Sequence, residues 1–284
     1  MLKTTVPEVS FITEAVREAA GLASRIQYEM GAFQLTKGDL SPVTVADFAV
    51  QAWIGYRLSQ RFPQDPLVAE EDAAALREPG AEAALEHVIR FVREVIPKTV
   101  PEEVCKWIDH GKTKPGRRFW TLDPVDGTKG FLRGEQYAVA MALIEDGRVQ
   151  IGALGCPNLG EKNEKKIGGP GSLAVAVQGE GAWRRPLTST SASSFERLHV
   201  SGCKDPAEAC FLGSVETSHT DQSRTQKFLE RFGTKVSPRF MDSQAKHVVL
   251  ASGGGDLFFY LPVAGRPDFR MKIWDVAPGS IVIE

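Results

Sequence analysis

The alternation of apolar and polar positions divides the chain into a helical beginning, a strand-rich middle and a mixed end. Over residues 11–30 the apolar positions recur on one stripe at helical spacing, which predicts an amphipathic helix. A second helix is predicted over 47–62, with Asp47 at or near its start, and a third helical region over 73–95. Between them, residues 66–72 are predicted to form a short strand that ends in acidic residues.

From residue 119 onwards the pattern changes to strands. The predicted strands of this part cover residues 119–122, 138–145, 149–154, 172–177 and 181–184. Pro124 and Gly127 are expected to break the first strand into a turn. Asp146-Gly147 is a turn signal that predicts a hairpin between the second and third strands. A second hairpin is expected around Gly179.

The last third of the chain alternates between strand and helix patterns. Strands are predicted over 199–201, at Phe240 and over 255–261, helices over 221–232 and 243–252, and a helix or strand from 274. The Ser/Thr-rich connector over 187–196 is the best candidate for a domain boundary. We therefore expect an α+β domain over 1–195, followed by a smaller α/β domain over 196–284.

Composition excludes several classes of protein. The chain has 284 residues, of which 42% are hydrophobic and 25% charged, as is typical of a soluble globular protein. A net charge of -2 argues against nucleic acid as a partner, and no apolar run reaches the length needed to cross a membrane. The N-terminus lacks a signal-peptide core, and the four cysteines lack metal-ligand spacing. We therefore expect buried free thiols and a cytoplasmic location.

A pair of carboxylates marks the strongest candidate for chemistry. Asp123 and Asp126 follow the predicted strand over 119–122, and Gly127 and Thr128 come directly after them. Mg²⁺ prefers hard oxygen ligands and shares its coordination shell with water and substrate phosphate. Free N–H groups at a following helix start can hold phosphate oxygens. The alternative is a pair of solvated turn residues, because Asp-Pro and Asp-Gly are common in turns.

Three other acids lie at the ends or starts of predicted elements: Asp47, Glu70 and Asp275. A two-metal site for phosphate hydrolysis needs several carboxylates that converge from distant parts of a chain. Each of these residues also has a structural interpretation. Asp47 and Asp275 could be helix N-caps, Glu70 and Glu71 a solvated strand end, and Thr128 a cap for the helix after Gly127.

The longer string over residues 123–139, Asp-Pro-Val-Asp-Gly-Thr-Lys-Gly-Phe-Leu-Arg-Gly-Glu-Gln-Tyr-Ala-Val, narrows these possibilities. It resembles the signature of the lithium-sensitive, Mg²⁺-dependent phosphatases related to inositol monophosphatase. Its continuation over 129–136 is similar to the 3'(2'),5'-bisphosphate nucleotidase branch of that superfamily. The resemblance implies a layered αβαβα sandwich, two to three Mg²⁺ ions per site and inhibition by Li⁺.

The resemblance also implies a role for each residue of the site. Asp47 and Thr128 would be the catalytic pair that orients water. The implied metal ligands are Glu70, Asp123, the backbone carbonyl of Val125, Asp126 and Asp275. The implied substrate-binding residues are Gly127, Thr128, His219, Ser243, Lys246 and Asp275. Without the resemblance, Lys246 would be interpreted as an exposed helix lysine and His219 as a loop histidine.

The implied reaction removes the 3'-phosphate from adenosine 3',5'-bisphosphate to give AMP, with the sulfated form of that nucleotide as a second substrate. We expect a monomer or a weak homodimer. At Tyr260 the chain departs from the pattern, because the nucleotide binders usually carry Arg directly before this Leu-Pro pair. Tyr brings no charge to a phosphate, and this favours an alternative function as an inositol-polyphosphate 1-phosphatase.

A third interpretation is a catalytically silent relative that binds metal or nucleotide. It is favoured by the end of the chain, which stops inside the apolar run over 281–284. In the proteins that this chain resembles, a Gly-Gly pair and a further strand and helix follow. We therefore expect the sequence to be truncated at its C-terminus. The complete set of acids, together with Thr128, argues against a silent protein.

Overall fold

The computed structural model describes residues 2–33, 42–216, 220–233, 235–261 and 270–284. Its helices are α1 (Pro7–Phe33), α2 (Pro42–Arg61), α3 (Glu82–Val95), α4 (Pro101–Asp109), α5 (Thr128–Arg133), α6 (Gln222–Phe232), α7 (Ala245–Ala251) and α8 (Ala277–Ile283). Its strands are β1 (Leu67–Ala69), β2 (Arg118–Asp126), β3 (Ala138–Glu145), β4 (Arg148–Cys156), β5 (Ser172–Val177), β6 (Gly181–Arg185), β7 (Glu196–Arg197), β8 (Phe211–Gly213), β9 (Arg239–Phe240) and β10 (Leu257–Phe258).

The strands form two sheets. In the larger sheet the strands lie side by side in chain order from β1 to β7. Strands β1 and β2 are parallel, and every later neighbour pair in this sheet is antiparallel. The smaller sheet has the order β10-β8-β9 and is parallel. Because β1 and β2 run in the same direction, the residues that follow them meet at one edge of the larger sheet.

Helices cover both faces of the larger sheet. On one face, α1 packs on β3, β4 and β5, while α2 packs on β2. On the other face, α8 packs on β3 to β6 and contacts α7. The approach of α8 is close, since a Cβ atom on Gly152 of β4 would lie 2.4 Å from Ile281 Cγ2. Leu212 of β8 belongs to the same buried cluster as Val248 of α7, so the smaller sheet forms a further layer.

Most of the predicted elements are present, including both hairpins. Asp146 and Gly147 adopt positive φ values of 50° and 74°, which explains why this pair marks the first hairpin so clearly. Residues 199–201, predicted as a strand, are irregular in the structure. Helix α4 was not predicted. It begins at Pro101, and the Glu103 carboxylate accepts a hydrogen bond from the Val100 N–H at its start.

Two predicted boundaries near the site are wrong. The second helix begins at Pro42, so Asp47 lies inside it and not at its start. Strand β2 does not end before Pro124 but continues to Asp126, with a shift in its pairing to β3 between Asp123 and Asp126. Pro lacks an N–H donor, and an irregularity of this kind is where a strand tolerates it.

Candidate active site

Glu70 and Asp123 come together because β1 and β2 are parallel. Ala69, the last residue of β1, is paired with Leu122 of β2, so the next residue of each strand is an acid at the same sheet edge. Asp123 is buried, with only 3% of its surface exposed, whereas Glu70 is exposed. The topology of the sheet, and not proximity in the sequence, therefore unites these two carboxylates.

The turn after Asp126 leads directly into helix α5. Gly127 adopts a positive φ of 86°, and a Cβ atom there would lie 2.8 Å from Ser243 Cβ. Both the backbone conformation and the close approach therefore require glycine. Thr128 is the first residue of α5, and its hydroxyl donates to the Val125 carbonyl at 3.4 Å. No hydrogen bond from a side chain caps this helix, so the capping role considered for Thr128 is wrong.

A cavity of about 250 Å³ opens above this turn. It gathers most of the predicted site, and its lining includes Glu70, Asp123, Val125, Asp126, Gly127, Thr128, Ser243, Lys246, Tyr260 and Asp275. Asp275 lies just before α8, and its carboxylate accepts a hydrogen bond from the Lys272 N–H at 3.0 Å. The N-cap position of α8 is Val276, so the capping role considered for Asp275 is wrong.

Burial and repulsion between neighbouring acids raise the pKa values of the acids in the cavity. Burial, followed by repulsion from Asp126 and Glu70, raises the pKa of Asp123 well above its usual value. Burial raises the pKa of Asp126 to about 6, although the Gln244 N–H, which donates to its carboxylate, acts in the opposite direction. Burial and the neighbouring Glu71 raise the pKa of Glu70 to about 7. Such a cluster is stabilised by positive charge.

The donor set of the cavity fits Mg²⁺. Asp123 Oδ1 is buried without a hydrogen-bond partner among the described residues, so this oxygen is available to a cation. Within that same part of the chain, no group of three His, Cys, Asp or Glu residues forms a ready metal cage. Mg²⁺ does not need one, because one or two carboxylates, water and substrate phosphate usually complete its octahedral shell.

Asp47 occupies a different position from the other acids. It is buried inside α2 with 5% of its surface exposed, and it is not among the described residues that line the cavity. Burial, then repulsion from Glu71 and Glu70, raises its pKa well above the usual value. Asp47 therefore lies behind Glu70 and Glu71, which we call the acidic wall of the site. The N-cap role considered for Asp47 is wrong, because α2 begins five residues earlier.

One side of the cavity is built from the start of α7, where Ser243 and Lys246 lie. Ser243 adopts a positive φ of 66°, uncommon for a residue with a side chain. Lys246 is buried, and its ammonium group donates to the carbonyls of Ser243 at 2.8 Å and Met241 at 3.1 Å. Burial lowers its pKa to about 8. The interpretation of Lys246 as an exposed helix lysine is therefore wrong, while His219 lies outside the described residues.

Tyr260 forms an aromatic wall of the cavity. Its ring packs edge-on against Phe258 at 4.9 Å between centroids, and the Lys246 ammonium lies 5.6 Å from the Phe258 ring. Burial raises the pKa of Tyr260 to about 12, although a hydrogen bond with Ser214 acts in the opposite direction. The cavity therefore presents a neutral hydroxyl at this position, beside a ring that can stack on a flat ligand.

An ion-pair cluster that was not predicted from the sequence fastens α5 to the second half of the chain. Lys129 Nζ lies 2.6 Å from one oxygen of Glu216, and Arg133 lies 2.9 Å from the other. Arg133 also reaches Asp242 at 2.9 Å. The partners are more than 80 positions apart, so no local pattern announces them. Lys129, Glu216 and Asp242 line the cavity together with the predicted residues.

The chain is similar in sequence to known proteins over nearly its whole length. The inositol monophosphatase family matches residues 2–284, and the chain belongs to that family. A 3'(2'),5'-bisphosphate nucleotidase of Emericella nidulans is 37% identical over 95% of this chain and 82% of its own length. A 3'(2'),5'-bisphosphate nucleotidase 1 of Arabidopsis thaliana is 36% identical over the same shares of both chains.

Solved structures resemble the fold at lower identity. SuhB of Mycobacterium tuberculosis has a TM-score of 0.61 at 20% identity, covering 96% of this chain and 81% of its own. CysQ of Bacteroides thetaiotaomicron, described as a bacterial member of the inositol monophosphatase family, has a TM-score of 0.59 at 17% identity, covering 97% and 84%. These similarities confirm the predicted layered αβαβα sandwich.

All four cysteines are free, and Cys105 and Cys156 are buried as predicted. Cys203 is exposed and Cys210 is half-buried, so the prediction of buried thiols is wrong for this pair.

In the part of the chain that the structure describes, no helix combines the length and the apolar character needed to cross a membrane.

Proposed function

We propose that this chain is a Mg²⁺-dependent phosphomonoesterase that removes the 3'-phosphate from adenosine 3',5'-bisphosphate. The products are AMP and phosphate, and the sulfated form of the nucleotide is a second substrate. The observation that carries the proposal is the unpartnered, buried Asp123 Oδ1 in one cavity with Glu70, Asp126 and the buried Lys246. Similarity to nucleotidases over nearly the whole chain supports the choice of substrate.

The acids of the cavity are the proposed metal ligands: Glu70, Asp123, the Val125 carbonyl, Asp126 and Asp275. Two to three Mg²⁺ ions held there would supply positive charge to the phosphoryl oxygens and to the leaving oxygen. The carboxylates must be ionised to bind a cation, and their raised pKa values oppose ionisation. We therefore propose that metal affinity falls as the pH falls.

The remaining residues orient the reactants. Thr128 lines the cavity, and Asp47 lies behind Glu70 and Glu71. We propose that Asp47 and Thr128 orient the attacking water. The water oxygen bonds to phosphorus as the bond from phosphorus to the 3'-oxygen breaks. One proton of the water passes to the 3'-oxygen, and the other stays on the released phosphate. Gly127, Ser243 and Lys246 are proposed to hold the nucleotide together with His219, and the buried Lys246 provides a point charge for a phosphate.

A phosphate-release assay tests this function. The purified chain is supplied with adenosine 3',5'-bisphosphate or with inositol phosphates, each with Mg²⁺ and with a chelator. We expect release from the nucleotide that depends on Mg²⁺. Rapid release from inositol phosphates, together with little release from the nucleotide, would favour the second candidate function, an inositol-polyphosphate 1-phosphatase. Tyr260 supports that candidate, because it places a neutral hydroxyl in the cavity wall.

The same proposal covers the domain organisation, the cellular location and the oligomeric state of the chain. We propose that the chain comprises a metal-binding part over 1–195 and a smaller part over 196–284 that carries most of the substrate residues. We also propose a cytoplasmic location, supported by four free cysteines. A monomer or weak homodimer is proposed as the working state, which sedimentation of the purified chain would test.

A further inference from the structure

Gln51 is a buried amide that makes three hydrogen bonds to main-chain groups behind the acidic wall. Its side chain is completely excluded from solvent. The Nε2 atom donates to the Glu71 carbonyl at 2.5 Å and to the Ile108 carbonyl at 2.8 Å. The Oε1 atom accepts from the Glu71 N–H at 3.0 Å. Gln51 therefore satisfies both main-chain groups of Glu71, as a neighbouring strand would.

Close packing restricts the position of the Gln51 amide. Gly111 packs against it so closely that a Cβ atom there would lie 2.5 Å from Gln51 Nε2. The same Gly111 accepts a hydrogen bond from the Ala69 N–H at 2.9 Å. Glu70 lies between Ala69 and Glu71, so the main chain is held on both sides of it. What remains for the Glu70 carboxylate is the rotation of its own side chain.

Gln51 also joins two parts of the proposed site. It lies four residues after Asp47 on α2, so both side chains project from one face of the helix. Asp47 interacts electrostatically with Glu70 and Glu71. A shift of α2 would therefore move Asp47 and the segment after β1 together. Asp109 holds the next turn by accepting from the Ala73 N–H at 3.0 Å, but it does not reach Glu70 or Glu71.

We infer that Gln51 is a positioning residue that holds Glu70 in place for Mg²⁺ and keeps it in register with Asp47. This inference rests on the proposed function, because that function assigns Glu70 to the metal. Gln51 contacts neither metal nor substrate in this role. It acts through the main chain of Glu71, and the effect of replacing it is therefore expected first in metal affinity.

The test compares Gln51→Met with Gln136→Met. Met has a similar length and no amide, so Gln51→Met removes all three hydrogen bonds. Gln136 is also a buried glutamine, 4% exposed, and donates to the Asn158 carbonyl at 2.8 Å, but it does not line the catalytic cavity. Mg²⁺ binding is measured by titration calorimetry without substrate. We expect about tenfold or greater loss of affinity for Gln51→Met, and wild-type affinity for Gln136→Met.

The phosphatase assay adds a second readout. In Gln51→Met, the Mg²⁺ concentration at half-maximal rate should rise by about tenfold, and excess Mg²⁺ should restore kcat with KM for the nucleotide unchanged. If Gln51→Met fails to fold, Gln51→Asn replaces it, because its shorter amide keeps the chemistry but cannot span the same partners. Wild-type Mg²⁺ affinity in a folded Gln51 variant overturns the inference.

Failures of the two proposals are distinguishable. A wild-type chain that binds Mg²⁺ but releases no phosphate contradicts the proposed function, while weaker Mg²⁺ binding by Gln51→Met still supports the positioning role. An active wild type whose Gln51→Met variant loses activity with unchanged Mg²⁺ affinity supports the function and overturns the role of Gln51. A wild type that does not bind Mg²⁺ overturns both.

Discussion

Arg133 donates a 2.9 Å hydrogen bond to Asp242, a buried carboxylate that lies 109 positions further along the chain. The same guanidinium reaches Glu216, so one side chain of α5 is held by two acids of the second half. Helix α5 has six residues and is flanked by Gly127 and Gly134, both in the left-handed conformation. Such a short helix depends on its tertiary contacts, and Thr128 depends on them as well.

The first prediction concerns the ion pair between Arg133 and Asp242. Arg133→Met removes the only side-chain hydrogen bond to the buried Asp242 carboxylate that is seen among the described residues, and loss of one partner from a buried charge pair is strongly unfavourable. We expect urea to unfold this variant at a clearly lower concentration than the wild type. Arg117→Met is the control, because Arg117 pairs with Asp146 on the exposed surface, where ion pairs contribute little. Equal midpoints for the two variants would contradict the structural role of Arg133.

The second prediction concerns Asp123. Asp123→Asn should reduce phosphate release by about a hundredfold or more, because the substitution removes a proposed ligand of the metal that would stabilise charge on the phosphate. The Asp123→Asn substitution should not reduce the stability of the folded state. Burial and the neighbouring acids raise the pKa of Asp123, and a neutral Asn avoids the cost of a charge at this position. We therefore expect the thermal midpoint in the presence of a chelator to equal or exceed that of the wild type.

Asp146→Asn provides the control for that variant. Asp146 is an exposed turn residue with a positive φ, a conformation that Asn accepts readily. We expect its rate to match the wild type. Turnover by Asp123→Asn at the rate of this control would remove Asp123 from the proposed metal ligands.

The third prediction concerns substrate choice at Tyr260. Tyr260→Arg places a cation in the cavity wall, and a hydrogen bond to a charged phosphate contributes about 1.5–3 kcal/mol. We expect KM for adenosine 3',5'-bisphosphate to fall by roughly tenfold or more in this variant. Tyr260→Phe keeps the ring and removes the hydroxyl, so it reports the contribution of the bond with Ser214. If Tyr260→Arg leaves the preference between nucleotide and inositol phosphate unchanged, the 5'-phosphate of the nucleotide does not bind beside residue 260.

The fourth prediction concerns stability and pH at the buried Arg185. Its guanidinium lies 2.8 Å from the Glu14 carboxylate. Burial alone would raise the pKa of Glu14, but hydrogen bonds from Arg17 and Arg185 lower it below its usual value. The charged pair therefore stabilises the fold above the usual glutamate pKa, and this contribution disappears as the pH falls through the lowered pKa.

Glu14→Gln tests that linkage. The variant should be less stable than the wild type near neutral pH by about 1 kcal/mol or more, because Glu14 is partly exposed but the buried Arg185 guanidinium loses its charged partner. The difference should shrink towards zero in acid. Urea midpoints for both proteins across a pH series measure it, and a difference that stays constant from neutral to strongly acidic pH would contradict the assignment.

Local signals along the chain were sufficient for much of the fold. The Asp146-Gly147 turn and the apolar stripe of α1 depend on neighbouring residues alone, so both were predictable. The start of α2 was not predictable in this way. Asp47 is a residue type that commonly caps a helix, and the prediction therefore placed the helix start there, whereas the structure buries Asp47 inside the helix. Helix α4 escaped prediction because its nine residues give too short an apolar period.

The sequence by itself determined the acidic string at Asp123 and Asp126, and with it the class of chemistry, because those residues and their turn are contiguous. Only the tertiary structure decided which other groups meet them. Parallel pairing of β1 and β2 brings in Glu70, and burial converts Lys246 from an apparent surface residue into a wall of the cavity. Gln51 and Arg133 carry no local signal, since their partners lie 20 to 109 positions away and become neighbours only through folding.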